Sequence, residues 1–103
     1  MSKFQNIALT STETTGEAFR VDSGHHIFAA GVTGTNTFPD SITLQMRFKD
    51  QTGTYVEWFD TATKLTADKR VHRLILSAIA EYRLVASAAG ATVFHAPISI
   101  RGS

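Results

Sequence analysis

The sequence predicts an all-β domain, and three observations support this prediction. Threonine, a β-branched residue that suits a half-exposed pleated face, occurs 14 times among the 103 residues. Within residues 41–50, polar and apolar side chains alternate from Ser41 to Lys49, which is typical of a strand with one buried face. Within residues 91–102, every second residue from Phe94 to Ile100 is apolar. A chain of this length forms a single domain.

Short strands separated by turn residues are expected in the first forty residues. Strands are predicted at 4–9, 18–24 and 25–34, and loops at 9–18 and 33–41. The first loop is rich in Ser, Thr and Gly, so we expect a mobile connection there. Pro39 marks the second loop because proline interrupts regular hydrogen bonding.

The clearest element is a β-hairpin that begins with strand 41–50. The tetrapeptide "DQTG" follows, with Asp50 first and Gly53 last, as a type I hairpin turn prefers. Residues 54–60 are predicted to return as the partner strand, which puts Tyr55 and Trp58 on opposite faces. Residues 61–70 are expected to form a polar connection, which has room for a short strand around Lys64–Thr66.

Residues 70–90 allow two interpretations. A helical period places one set of apolar residues on a single stripe, namely Val71, Leu74, Ile75, Ala78, Ile79 and Tyr82. Such a helix would be about 35 Å long, which is large for a domain with a radius of gyration near 13 Å. A period of two instead gives strands at 70–77 and 81–88. Periodicity alone does not decide between them.

A family resemblance favours the strands. The segments "SITLQMRFKDQTGTYVEWFD", "EYRLVASAAG" and "TVFHAPISIRG" resemble, in order, those of small decoration (cement) proteins on tailed-bacteriophage capsids. The likeness spans roughly residues 25–101 as a pattern of strands and turns. It implies a single antiparallel β-sandwich of about seven or eight strands, of jelly-roll or immunoglobulin-like type. The chain departs from the pattern at Ala80-Glu81, where a glycine commonly precedes the Tyr-Arg pair.

Composition argues against several classes of partner. The net charge is +1 with no basic run, so we expect no nucleic acid. No apolar stretch approaches the roughly 20 residues that span a bilayer, and the first residues do not form a signal peptide, so we expect no membrane partner. The absence of cysteine removes disulfides and thiolate sites, which favours folding in the host cytoplasm.

No motif predicts catalysis, a metal or a cofactor. The four histidines, His25, His26, His72 and His95, lack metal-ligand spacing, and we expect them at polar surfaces or turns. Neighbours on a strand face opposite ways, so His25 and His26 are not expected to share an ion. Asp50 and Asp60 flank the hairpin and are read as turn residues rather than a glycosidase pair. We therefore expect a protein that is not an enzyme.

The resemblance implies a structural protein of the virion that binds the outside of the capsid and stabilises the head. Its partner would be the major capsid protein, and it would form a homo-oligomer, a trimer. We divide the chain into an N-terminal strand and flexible arm, residues 1–16, and a β-sandwich domain, residues 17–103. The candidate interaction residues are Phe4, Ile7, Phe38 and Trp58. The alternatives are a tail, adaptor or fibre-associated module, or a carbohydrate-binding β-sandwich that uses exposed aromatic residues.

Overall fold

Seven antiparallel strands form two sheets in a computed structural model, which describes residues 6–98 except for the side chain of Asn6. The strands are β1 Asn6–Leu9, β2 Gly24–Val32, β3 Ile42–Phe48, β4 Phe59–Leu65, β5 Val71–Leu76, β6 Ala80–Ala86 and β7 Ala91–Pro97. The larger sheet has the order β1-β7-β2-β5, and the smaller sheet has the order β4-β3-β6. The predicted all-β sandwich is confirmed.

The core lies between the two sheets and takes side chains from both. In β6 the buried residues are every second one, which leaves the alternate residues for the outer face. The largest fully buried side chains are Leu9, Phe28, Ile42, Leu65, Leu84 and Val93. Each such side chain contributes about 1.5–3 kcal/mol when it leaves water, so this layer is the main source of stability.

Residues 70–90 form two strands, as the resemblance implied. β5 belongs to the larger sheet and β6 to the smaller one, so the turn between them crosses from one layer to the other. The hydroxyl of Tyr82 accepts the backbone N–H of Ser77 at 3.0 Å, and Ser23 Oγ accepts that of Ala78 at 2.8 Å. These side chains hold the turn, which explains why "SAIA" carries no hairpin residues. Ile79 is exposed at its tip.

The return strand of the predicted hairpin begins later than expected. Backbone hydrogen bonding of residues 54–58 to β3 is limited to one bond, from the N–H of Val56 to the carbonyl of Phe48, beside the isolated bridge between Lys49 and Tyr55. The paired strand is β4, which occupies the first half of the segment expected to be a polar connection. Its register shifts between Thr43 and Gln45, where Thr61 Oγ1 donates to the carbonyl of Leu44 at 2.8 Å. A hydroxyl thus replaces a ladder bond at the irregularity.

The turn itself agrees with the prediction. Gly53 has a positive φ of 85° and donates its N–H to the carbonyl of Asp50 at 3.0 Å. The carboxylate of Asp50 accepts bonds from Thr52 and Thr54, and these bonds lower its pKa, the Thr52 side chain contributing most.

Pro97 does not put the last strand at an edge or a bulge, as its missing N–H suggested. β7 is an interior strand that pairs with both β1 and β2. Pro97 is its last residue, opposite His26, so the missing donor falls where the ladder ends. Ile98 then continues the pairing by donating its N–H to His25 at 2.9 Å.

The N-terminal region is built into the sandwich. β1 pairs with β7, and Leu9 is fully buried. The chain then crosses to the smaller sheet, where Gly16 donates to the carbonyl of Leu84 and Phe19 exchanges backbone bonds with Tyr82. The strand predicted at 18–24 is therefore only the isolated bridge at Phe19. Residues 6–16 contact the domain that the sequence-based division separated from them.

Gly90 joins β6 to β7 at a place where only glycine fits. Its φ is 136°, and an added Cβ would lie 2.6 Å from the carbonyl oxygen of Thr37. We expect Gly90→Ala to lower the free energy of unfolding by about 2–4 kcal/mol because strain and a clash act together. Gly34 also has positive φ but has nothing within 4 Å of such a Cβ. Gly34→Ala should therefore cost only about 1 kcal/mol. Urea denaturation measures both, and equal losses would contradict this explanation.

Candidate interaction surfaces

The outer face of the larger sheet carries a continuous row of apolar side chains. The register places Ile7 opposite Phe94, Phe94 opposite Ala29, and Ala29 opposite Val71. The row therefore crosses all four strands. Ile7 is 57% exposed, Val71 50% and Phe94 40%. Scattered apolar residues on a surface are ordinary, but a contiguous patch marks a contact surface.

Two further rows extend this patch along the strands. Ile27 lies between Ala96 and Arg73, and His25 lies between Ile98 and Ile75. We define the apolar face as the apolar outward residues of all three rows, namely Ile7, Ile27, Ala29, Val71, Ile75, Phe94, Ala96 and Ile98. Arg73 and His25 are the polar residues of these rows, and the rows contain no carboxylate.

The outer face of the smaller sheet is polar, and four of its charged groups bond to neighbours on the same face. Arg47 and Glu81 form a partly buried ion pair at 2.7 Å. Arg83 donates to Gln45, which donates in turn to Asp60, both bonds at 2.8 Å. Such a chain satisfies its own members and leaves little for a ligand.

Aromatic rings cover these arginines. The guanidinium carbon of Arg47 lies 4.2 Å from the ring centre of Tyr55 and 4.5 Å from that of Trp58. The guanidinium carbon of Arg83 is also 4.5 Å from the ring centre of Trp58, so the indole covers both cations. The sequence placed Tyr55 and Trp58 on opposite faces, which is wrong because residues 54–58 do not follow strand geometry.

The predicted interaction residues do not form one surface. Ile7 belongs to the apolar face, whereas Trp58 lies on the other sheet. Phe38 is half-buried in the loop after β2, where it packs on the core beneath Arg70. Phe4 lies outside the described residues. Sequence reasoning missed Phe94, Ala29 and Val71 as a surface, although the apolar run "IFAA" and the adjacent apolar pair "VF" are typical of strands covered on both faces.

Two histidines are buried, contrary to the expectation that all four lie at surfaces or turns. His26 and His95 stack with ring centres 5.0 Å apart, and His95 also stacks on Phe28. His26 Nε2 must donate to the carbonyl of Asp22 at 2.8 Å because a carbonyl only accepts. In the neutral ring Nδ1 is then an acceptor, and His95 Nε2 donates to it at 3.0 Å.

An open cavity of about 450 Å³ adjoins this histidine pair. Its lining includes Arg20, Asp22, Ala78 and Pro97. Within residues 6–98 no cluster of three or more His, Asp or Glu side chains is placed to hold a metal ion. His25 faces outward on β2 while His26 faces inward, as predicted for neighbours on a strand. The hydrogen bond between the two rings occupies one nitrogen of each histidine.

The two aspartates that flank the hairpin have separate structural roles. Asp50 holds the turn through Thr52 and Thr54, and Asp60 accepts the bond from Gln45. Each carboxylate is occupied by a neighbour on its own sheet. The interpretation of Asp50 as a turn residue is confirmed, while Asp60 is an acceptor at the start of β4.

No protein-family model, curated protein or solved structure matches this chain. Across residues 6–98 the structure contains no helix of the length and apolarity needed to cross a bilayer. The argument for function therefore depends on the surfaces of the sandwich.

The buried histidine makes stability depend on pH. Burial, and secondly the neighbouring His26, lower the pKa of His95 from 6.5 to about 4. Below pH 6.5 the imidazole of His95 binds a proton in the unfolded chain, whereas in the folded chain it binds one only near pH 4. The stabilisation is complete above pH 6.5 and is lost as pH falls through this window, by about 2–3 kcal/mol.

Denaturation between pH 7.5 and 4 measures this loss. Carboxylates titrate in the same range, so the comparison is His95→Gln, which keeps a donor for His26 and removes the titrating ring. The variant should show a shallower decline. His95 ring signals that titrate near pH 6.5 in NMR spectra would contradict the assignment.

Proposed function

We propose that this chain is a non-enzymatic structural protein of a tailed-phage virion that binds the outside of the capsid and stabilises the head. The apolar face of the larger sheet is the observation that supports a binding role most directly. It is broad and contiguous, as a protein contact requires, whereas the opposite outer face is polar and carries the Arg47–Glu81 ion pair. The specific assignment to a capsid rests on the family resemblance.

The physics of this role fits a small two-layer sandwich. A shell filled with DNA is under outward strain, and a rigid body that bridges neighbouring subunits adds contact where they would separate. Each contact is weak, but the lattice presents many copies together, so avidity holds the layer in place. The two sheets share one apolar core, which supplies the stiffness that bridging needs.

The partner in this proposal is the major capsid protein, and the location is the capsid exterior after synthesis in the host cytoplasm. The trimer that the resemblance implies stays a prediction. Neither nucleic acid nor a membrane is a proposed partner, since the net charge is only +1 and the apolar face lies on a β-sheet rather than on a membrane-spanning segment.

The other virion positions, as a tail, adaptor or fibre-associated module, use the same surface argument and are separated only by where the protein lies in the particle. A carbohydrate site at Trp58 has less support. Its indole is half-buried and rests on two guanidinium groups, which occupy part of the ring that a sugar would stack on.

Electron microscopy of heads from the phage whose capsid genes adjoin this gene tests the proposal. Purified protein added to heads that lack it should sediment with them, appear as density on the shell, and raise the temperature at which heads rupture. A gene far from any capsid gene, or heads that never retain the protein, would contradict it.

The N-terminal arm needs a different truncation from the division at residue 16. Because Leu9 is a core residue, removing residues 1–16 would take a strand out of the larger sheet. Removing residues 1–5 leaves β1 in place and deletes Phe4. We expect this shorter chain to unfold at nearly the same temperature and to lose capsid binding. Undiminished binding would exclude the arm as the contact.

A further inference from the structure

We propose that the apolar face pairs with the same face of a second copy of this chain, about a two-fold axis that runs parallel to the strands between β7 and β2. These are the two central strands of the larger sheet. The rotation places β7 over β2 of the second copy and β1 over its β5. The pairing goes beyond the proposed function and does not depend on it, and it predicts a dimer where the family resemblance predicts a trimer.

The main row of the face is self-complementary under this rotation. Its order is Ile7, Phe94, Ala29, Val71. In the dimer this row faces the same row in reverse order, so Phe94 lies over Ala29 of the second copy and Ile7 lies over its Val71. A large ring therefore meets a small side chain on both sides of the axis, which an isologous interface requires.

The second row repeats this relation. Ile27 on β2 and Ala96 on β7 are paired neighbours, so the rotation places Ile27 over Ala96 of the second copy and Ala96 over its Ile27. Large side chains again face small ones. Two sheets packed face to face lie about 10 Å apart with interdigitated side chains, and this alternation allows that spacing.

The area of the face favours a flat, broad partner. Four strands at about 4.8 Å spacing and seven residues at about 3.3 Å give a flat footprint of roughly 440 Å². Protruding side chains make the accessible area larger than the footprint. Pairing the whole face therefore approaches the lower limit of a specific interface, about 600 Å² per partner. A peptide over one or two strands would bury only a fraction of this.

The charges on the face are compatible with self-pairing. Arg73 is the one residue of the rows that always carries charge, and it is exposed on the edge strand β5. The two-fold axis places the two Arg73 residues at opposite edges, about 14 Å apart across three strand spacings. That separation exceeds the Debye length of about 8–10 Å, so the repulsion is screened.

Analytical ultracentrifugation of the full chain tests the pairing. The wild-type protein should be a dimer at about 100 µM, and Phe94→Lys should weaken dimerisation by about tenfold or more. The matched control is Phe48→Lys. Phe48 has the same 40% exposure but lies on the smaller sheet, so this variant should dimerise like the wild type. Circular dichroism checks that both variants remain folded.

A size exchange tests the register. Ala29→Phe alone should oppose two rings and block dimerisation, and Phe94→Ala alone should leave a gap that weakens it. The double variant puts large residues over small ones again, so it should dimerise more tightly than either single variant. Failure of the double variant to recover, while it stays folded, would overturn the proposed axis.

The oligomeric state separates this proposal from the proposed function. A monomeric or trimeric wild-type chain would overturn the two-fold pairing. If that monomer or trimer still bound phage heads and Phe94→Lys abolished the binding, the shell would be the occupant of the apolar face. A dimer that ignores phage heads would support the pairing and contradict the capsid role.

Discussion

The packing of two sheets against one shared apolar layer is the constraint on which the rest of this structure depends. Phe28 and Val93 from the larger sheet meet Ile42 and Leu84 from the smaller one, and each is almost completely removed from water. Two pairs of consecutive strands, β1 with β2 and β3 with β4, lie in the same sheet. The other four connections cross between the two layers, so the core closes only when distant parts of the chain have come together.

This constraint explains why polar groups lie where a sequence would not place them. His26 and His95 sit on inward positions of β2 and β7, and the sheet register brings them face to face. Burial is tolerated because each ring donates its Nε2 proton, one to a carbonyl and one to the other ring. The hydroxyl of Tyr82 has a similar role at the turn before β6.

The two outer faces differ because the strands behind them have different side-chain patterns. β3 and β6 alternate apolar and polar, and their outward residues satisfy one another beneath Trp58. β2 and β7 are apolar on both faces, as strands of a sheet covered on both sides are. The outward residues of the smaller sheet thus bond to one another, whereas the larger sheet exposes apolar side chains on its outer face that suit contact with protein.

Local pattern predicted the strands at β2, β3 and β7 and the Asp50–Gly53 turn, because period-two alternation and turn preferences act over a few residues. It failed at Tyr55 and Trp58, whose rings both cover Arg47 instead of facing opposite ways, and at Pro97, which ends an interior strand. Residues 70–90 lay between these cases, since both periods fitted and only the resemblance chose strands.

Composition and alternation predict most of the strands of this all-β chain, because both are properties of neighbouring residues. The tertiary structure decided which strands share a sheet, which face is covered, and which side chains meet across them. Those outcomes depend on contacts between residues far apart in the chain, such as Ile7 with Phe94 or Ala29 with Val71. No local sequence pattern encodes such pairs, because the two residues of each pair come into contact, and stabilise the fold, only when the sheets form.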